Sequence, residues 1–379
     1  MAGWPGKFII GLTGNIATGK SVVRRMLEHL GAYTIDADQL SHRAIAKGSP
    51  GYQQVIDTFG RWILGEDGQV DRLRLGKIVF NDPAALKSLE KIVHPLVRQA
   101  VDILVRRSTQ KVIVIEAIKL LEGELRHACD SIWVTYAPPE VQLNRLVNRR
   151  KMDEDDAWQR IVAQGSQDAK ISAAQVVIQN TGTVEHTWRQ VLASWQKVVP
   201  AEILAEPEAK PAPAPAGKFQ VLRAKPGQSA EIAGFITRLS GGSRKLEGAD
   251  IMEAFGDKAY MLLMLGERLV GVLGWQVENL VARLDDLYLE PILPLAEAAK
   301  TLLEEVAQAS RQLQCEAALL FLTPAQANHK EIWTTLGYSP KTLEQLGVRA
   351  WQDAARESQP DGSLLFFNQL RQDRVLRPV

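Results

Sequence analysis

Apolar residues fall into two rhythms along this chain. Short unbroken runs rich in Val and Ile stand at 8–10 (FII), 111–117 (KVIVIEA), 131–137 (SIWVTYA) and 175–180 (QVVIQN), and Tyr33 to Ile35 is a shorter one ending in Asp36 and Asp38. Runs that are apolar on both faces predict strands covered on both sides, as in a parallel sheet. Between them the apolar positions recur every three or four residues, as an amphipathic helix requires. Strand and helix alternate, so the first part of the chain predicts an α/β parallel sheet. From Gln39 to Arg107 the helical rhythm is continuous, predicting a helical insertion beside that sheet.

The rhythm stops at 205–218, AEPEAKPAPAPAGK, where Ala and Pro alternate without apolar periodicity. Such a stretch favours extended polyproline structure and acts as a semi-rigid spacer. The chain therefore divides into a unit at 1–204, a spacer at 205–218 and a second unit at 219–379. In the second unit Phe219 to Arg223 reads as a strand and Ser229 to Gly242 as a helix ending in glycines. A hairpin follows from Ala259 to Glu278 with its turn at Gly266 to Arg268, then a strand in RLDDLYLEP. Leu295 to Leu313 predicts a long helix, Glu316 to Thr323 a buried strand, and Asn328 to Pro340 a helix and turn. That order is α+β.

Composition narrows the function classes only modestly. The chain of 379 residues is 46% hydrophobic and 23% charged with a net charge of +1, so nothing suggests a generic nucleic-acid binder. No apolar run is long enough to cross a membrane. Cys129 and Cys315, far apart in apolar surroundings, read as buried reduced thiols of a cytoplasmic protein.

The candidate chemistry begins at Gly11, in GLTGNIATGKS. Gly14-x4-Gly19-Lys20-Ser21 sits between a strand and a helix-like run, Val22 to Leu30, the context a phosphate-binding loop needs. Gly14, Asn15, Ile16, Ala17, Thr18 and Gly19 would wrap backbone N–H groups around an anion at a helix N-terminus. Lys20 would reach the β- and γ-phosphates of ATP, and the Ser21 hydroxyl would ligate Mg²⁺. A kinase also needs a group near the acceptor hydroxyl to take its proton. Asp38, just past the second strand, is the candidate base, while Asp36 is either a metal-supporting acid or a helix cap. Glu116 closes its strand as a Mg²⁺-supporting acid would, with a salt bridge as the competing reading. Arg145 and Arg149, four apart on a helix, form a clamp for phosphoryl oxygens. The acidic turn Asp153 to Asp156 and the helix beyond it complete a candidate lid.

These residues resemble the dephospho-coenzyme A kinases over essentially the whole first unit. The likeness rests on GLTGNIATGKS, on IDAD with His42 beyond it, on Phe59-Gly60 followed by DGQVDR, and on VFND. It continues through His94-Pro95, QLNRLVNRR with Gln164 behind it, and VVIQNTG. The resemblance implies ATP-dependent phosphorylation of the ribose 3′-hydroxyl of dephospho-CoA, the last step of coenzyme A biosynthesis. It places the catalytic aspartate at Asp38, the lid arginines at Arg145 and Arg149, and an adenine-side asparagine at Asn180. His42, His94 and Glu122 join Asp38 on the acceptor side. One segment departs: the family's Asp-x-Pro-Leu-Leu-x-Glu reads EAIKLLE here, with Ile118 at the proline and Lys119 entering where Leu is expected.

The second unit resembles the GNAT acetyltransferase fold. The loop that would bind acetyl-CoA pyrophosphate is LEPILPLAEAA, Leu289 to Ala299, with no glycine, no basic residue and two prolines that lack an N–H. A non-catalytic docking, self-association or regulatory module follows from that. Two alternatives remain for the whole chain, a degenerate ATP-binding scaffold and a bifunctional kinase and N-acetyltransferase. A GTPase reading lacks its guanine-reading Asn-Lys-x-Asp.

Overall fold

The computed structural model describes residues 4–149, 151–204 and 218–372; the Ala-Pro spacer, Lys218 apart, lies outside the described residues. The first half runs β1 (Phe8–Thr13), α1 (Lys20–His29), β2 (Tyr33–Asp36), α2 (Ala37–Ala44), α3 (Tyr52–Phe59), α4 (Arg72–Asn81), α5 (Pro83–Arg107), β3 (Val112–Glu116) and β4 (Ser131–Tyr136). It continues through α6 (Pro139–Asn144), α7 (Glu154–Ala163), α8 (Asp168–Ala173), β5 (Val176–Gln179), α9 (Val184–Val198) and α10 (Ala201–Leu204). All five strands are parallel, in the order β2-β3-β1-β4-β5.

The strands read as continuous apolar runs because each face of the sheet has its own core. Ile113 and Ile115 pack with Val97, Val101 and Leu104 of α5, while Val112 and Val114 pack with Val23 and Leu27 of α1 and Trp195 of α9. Helix caps match the sequence: Asp71 caps α4 and Asp82 caps α5, which opens on Pro83.

The second half contains β6 (Phe219–Arg223), α11 (Ser229–Leu239), α12 (Gly248–Ala254), β7 (Ala259–Leu265), β8 (Arg268–Glu278), β9 (Val281–Leu289), α13 (Leu295–Gln312), β10 (Ala317–Leu322), α14 (Pro324–Ala327), α15 (Lys330–Thr335), β11 (Ser339–Pro340), α16 (Arg349–Ser358) and β12 (Leu364–Gln369). Its seven strands lie in the order β11-β12-β10-β9-β8-β7-β6. Among the described residues only β9 and β10 of this sheet are parallel neighbours, and the helix α13 that joins them covers one face of the sheet. Helices α11 and α12 cover part of the other face, and α16 packs there against β9 and β10.

The hairpin turn stands at Gly266 as expected, and the α+β order holds. The helix expected from Asn328 begins at Lys330, after the short capped turn of α14. Past Pro340, where the sequence predicts no element, β12 lies next to the edge strand of the sheet, pairing β10 and β11. Cys129 is half-buried rather than buried, and its thiol donates to the Leu125 carbonyl at 3.2 Å; Cys315 is buried.

The β2 strand forms one edge of the parallel sheet. The turn joining β8 to β9 covers it, so that Val277 to Leu280 face Tyr33 to Asp36 across a small cavity of about 40 Å³.

Candidate active site

The phosphate loop lies between β1 and α1, beyond the carboxyl ends of the strands where ligands of such sheets bind. Gly19 caps α1 in a left-handed conformation with φ 94°, and a Cβ there would stand 1.8 Å from the Asn180 Nδ2. Only glycine fits that approach. The Lys20 Nζ donates to the carbonyl oxygens of Gly14 at 3.0 Å and Asn15 at 3.4 Å, and is buried under the loop. The Thr18 hydroxyl is buried between the Asn15 carbonyl and the Thr135 hydroxyl, each at 2.8 Å. Ser21 is exposed at the first turn of α1.

The loop tip is held from the far side of the site. The Gln164 side-chain oxygen accepts from the Ile16 N–H at 2.7 Å, and the Lys170 ammonium donates to the Asn15 Oδ1 at 2.8 Å. Ile16 and Ala17 pack against Leu146, Ala157 and Ile161, the small core of the lid formed by α6, a π-helical turn at Arg145–Arg149, and α7. Loop and lid therefore share one apolar cluster. The Arg145 guanidinium bridges the Ala17 carbonyl at 3.0 Å and the Asn180 carbonyl at 2.7 Å. The side chain of Arg149 lies outside the described residues.

Asn180, expected on the adenine side, commits its side-chain amide to the loop. Its Nδ2 donates to the Thr18 carbonyl at 3.0 Å, and its Oδ1 accepts from the Thr187 hydroxyl at 3.0 Å.

Three acids converge at the strand ends. Asp36 and Glu116 stand opposite one another in register on β2 and β3. Asp36 caps α2, its Oδ1 accepting from the Gln39 N–H at 2.9 Å. The competing reading holds for Glu116: its carboxylate is buried 2.9 Å from the Arg24 guanidinium, a contact that the charge of a strand-end acid demands once water is excluded. Burial, only partly offset by Arg24, pushes its carboxyl up to about 6.

Asp38 sits in the first turn of α2 with its Oδ2 accepting from the Ile118 N–H at 3.0 Å. Ile118 occupies the place where the resemblance expects proline, which has no N–H to give. The departure from the family pattern thus supplies a hydrogen bond to the candidate base. Burial and then Asp36 raise its carboxyl above the ordinary aspartate range, while the Ile118 N–H opposes the shift.

Asp38 opens onto a cleft of about 740 Å³ lined by Ser41, His94, Arg98, Lys119 and Leu120 among others. That volume suits a ligand of nucleotide size or larger. His94 and Asp38 line the same cleft. Lys119, mostly exposed, lies 3.6 Å from Glu90. Glu122 is exposed; burial lowers the Lys170 ammonium below the usual lysine range, and Glu122 opposes that shift. His42 does not line the cleft; burial, then the nearby Arg72, pushes it down to about 4 and keeps it neutral. Gln164 and Lys170 are the residues that the sequence reading gave no role. Gln164 entered only as a landmark, and Lys170 carried no local signal at all.

In the second half, the turn after β9 is held by ion pairs and a side-chain hydrogen bond. The Glu290 carboxylate accepts from the Arg238 guanidinium at 2.9 Å and lies 3.3 Å from that of Arg268. The Gln326 side-chain amide donates to the Leu287 carbonyl at 2.7 Å.

A parallel sheet with a phosphate loop and its lysine between β1 and α1, an aspartate just past β2 facing a large cleft, and an arginine from the helices after β4 on the loop have the arrangement of a phosphate-loop kinase. The sequence model for dephospho-CoA kinase matches residues 8–186. A dephospho-CoA kinase of Carboxydothermus hydrogenoformans is 45% identical over 192 residues, which span 50% of this chain and 93% of that one. The chain belongs to the dephospho-CoA kinase family. Among solved structures, TT1252 from Thermus thermophilus is 30% identical, with a TM-score of 0.47, over 51% of this chain and 99% of that one. A GNAT-family acetyltransferase from Staphylococcus aureus is 12% identical, with a TM-score of 0.33, over 41% of this chain and all of that one.

Proposed function

We propose that this chain transfers the γ-phosphoryl group of ATP to the ribose 3′-hydroxyl of dephospho-CoA, giving coenzyme A and ADP. The observation that carries this reading is the position of Asp38, which lines the large cleft and is close enough to Lys20 of the phosphate loop to feel its charge. The loop N–H groups and Lys20 hold the β- and γ-phosphates, and Arg145 swings from its two backbone carbonyls onto the transferring group. Asp38 accepts the acceptor proton as the new O–P bond forms and the bond to ADP breaks. His94 and Lys119 contact the acceptor in the cleft.

A magnesium ion would be held by the exposed Ser21 hydroxyl together with the nucleotide phosphates, with the strand-end acids Asp36 and Glu116 in support. When bound, it supplies charge neutralisation on the phosphates. Glu116, held by Arg24, orients the neighbouring groups from behind. The second half is not an acetyltransferase in this reading, since Leu289 to Ala299, where a pyrophosphate would sit, has no glycine, two prolines without an N–H, and the carboxylates Glu290 and Glu297. Among the described residues no helix is long and apolar enough to span a membrane. With its two free thiols, the chain is read as a cytoplasmic enzyme.

The test is ADP release by the full-length protein with ATP, Mg²⁺ and dephospho-CoA against a control lacking the acceptor. Acceptor-dependent ADP with coenzyme A as product is expected. ADP release indifferent to dephospho-CoA, or none, would favour the degenerate scaffold. The pH profile gives a finer check. Because its carboxyl is raised, Asp38 takes up a proton sooner as pH falls, so kcat/KM declines on the acid side with a midpoint above the aspartate norm of about 3.9. Ile118→Pro removes an N–H that favours the charged form, so the decline moves to still higher pH. A profile identical to that of the wild type would remove Asp38 as the titrating base.

A further inference from the structure

Helix α2 is only eight residues long, and it joins the two halves of the molecule. Its first turn carries Asp38 and its last turn carries Arg43, roughly 7.5 Å further along the axis at 1.5 Å per residue. The Arg43 guanidinium leaves the first half altogether. Its Nη2 donates to the Glu316 carboxylate at 2.6 Å and its Nη1 to the Asn279 carbonyl at 2.9 Å. Both charged side chains are nearly out of water, at 13% and 1% exposed.

The receiving surface is rigid. Glu316 stands immediately before β10; its N–H donates to the Leu280 carbonyl at 2.7 Å, and its own carbonyl accepts from Leu370 and Arg371. Asn279 and Leu280 form the tight β8–β9 turn, both in left-handed conformations. The Leu280 side chain packs into the core of the first half, and Leu313 packs against the cores of both halves.

We propose that the second half is a brace for the acceptor-side helix of the kinase, with Arg43 as the positioning residue that carries its hold to Asp38. The proposal rests on the reading of Asp38 as the base. Helix α2 is capped at its first turn and seats Ala37 and Leu40 in the core of the first half, yet so short a helix can still tilt about that contact, and a displacement of about 1 Å at a reacting group can cost on the order of 10²-fold in rate. Arg43 removes that freedom from the far end, while the Ile118 N–H fixes the carboxylate itself. In this scheme the fused module raises kcat without touching ATP or the acceptor.

The experiment uses the full-length chain and reads two quantities, amide exchange at 37–44 and the separate values of kcat and KM for ATP and dephospho-CoA. In Arg43→Ala, α2 amides lose protection and kcat falls roughly tenfold or more, while KM for ATP stays within about twofold. Arg43→Lys, which keeps the charge but not both contacts, falls between. Arg349→Ala breaks a more exposed ion pair to Asp67 across the same junction and leaves both readouts unchanged. Glu316→Gln keeps the shape of the acceptor side, and it decides by the same readouts if Arg43→Ala does not fold.

A wild-type kcat in Arg43→Ala or Glu316→Gln despite lost protection overturns the brace, as does an equal loss of kcat in Arg349→Ala. If the wild type shows no acceptor-dependent turnover, the kinase reading fails first. Exchange then judges the mechanical hold alone, and unchanged protection in Arg43→Ala overturns that too.

Discussion

Asp38→Asn is expected to leave ATP affinity unchanged while turnover falls by about 10²- to 10⁴-fold, the range for losing one general base. The substitution is nearly isosteric, and the asparagine oxygen still accepts from the Ile118 N–H, so α2 and the EAIKLLE segment stay joined. What disappears is the capacity to take a proton in the acceptor cleft. The acid decline in kcat/KM should vanish with it, because the remaining activity no longer depends on that carboxylate. Steady-state ADP release and an ATP titration on the same preparation separate the two effects. Full turnover in the variant would leave Asp38 as a structural anchor for Ile118 and nothing more.

Gly19→Ala is expected to weaken ATP binding by tenfold or more and to lower stability by about 1–3 kcal/mol, the cost of a side chain in a left-handed backbone conformation with no room for it. The new methyl group would stand 1.8 Å from the Asn180 amide, which is buried and already bound to Thr18 and Thr187. Either the loop or Asn180 must move, and Arg145, which holds both, moves with them. Thermal unfolding and ATP titration of the variant check this. Wild-type values in both would mean that the loop adapts freely and that its observed shape is not what binds phosphate.

Much of the parallel unit was legible because its physics is local. Strands buried on both faces must be apolar throughout, and Gly14, Gly19 and Lys20 announce a phosphate loop by spacing alone. The ambiguity at Asp36 and Glu116 was real, since an acid at a strand end is equally suited to a metal, a cap or an ion pair. Position cannot decide among these, and the ion pair that α1 makes by delivering Arg24 to Glu116 has no mark in the local sequence. Gln164 and Lys170 stayed without a role for a different reason. Each meets the loop tip from about 150 residues away, and a polar residue on a helix gives no sign of a partner that distant. Arg43 and Glu316 are 273 residues apart and belong to different halves of the chain, so their pairing exists only in three dimensions. In the second half, β12 went unassigned although it pairs on both sides, because its residues LLFFNQ are too few and too irregular in exposure to show a period of two.

The covering of β2 by the β8–β9 turn bears on how such a protein is handled and inherited. An uncovered sheet edge is a template for pairing with a second molecule. A gene split that separated the halves would expose that edge together with the apolar ground beneath Leu280, and the first product would carry a sticky margin its single-unit relatives need not share. Once such a cover has been accepted, substitutions that suit it accumulate beneath, and each makes reversal harder. The fused module would then persist as a dependency, whether or not it ever acquired a chemistry of its own.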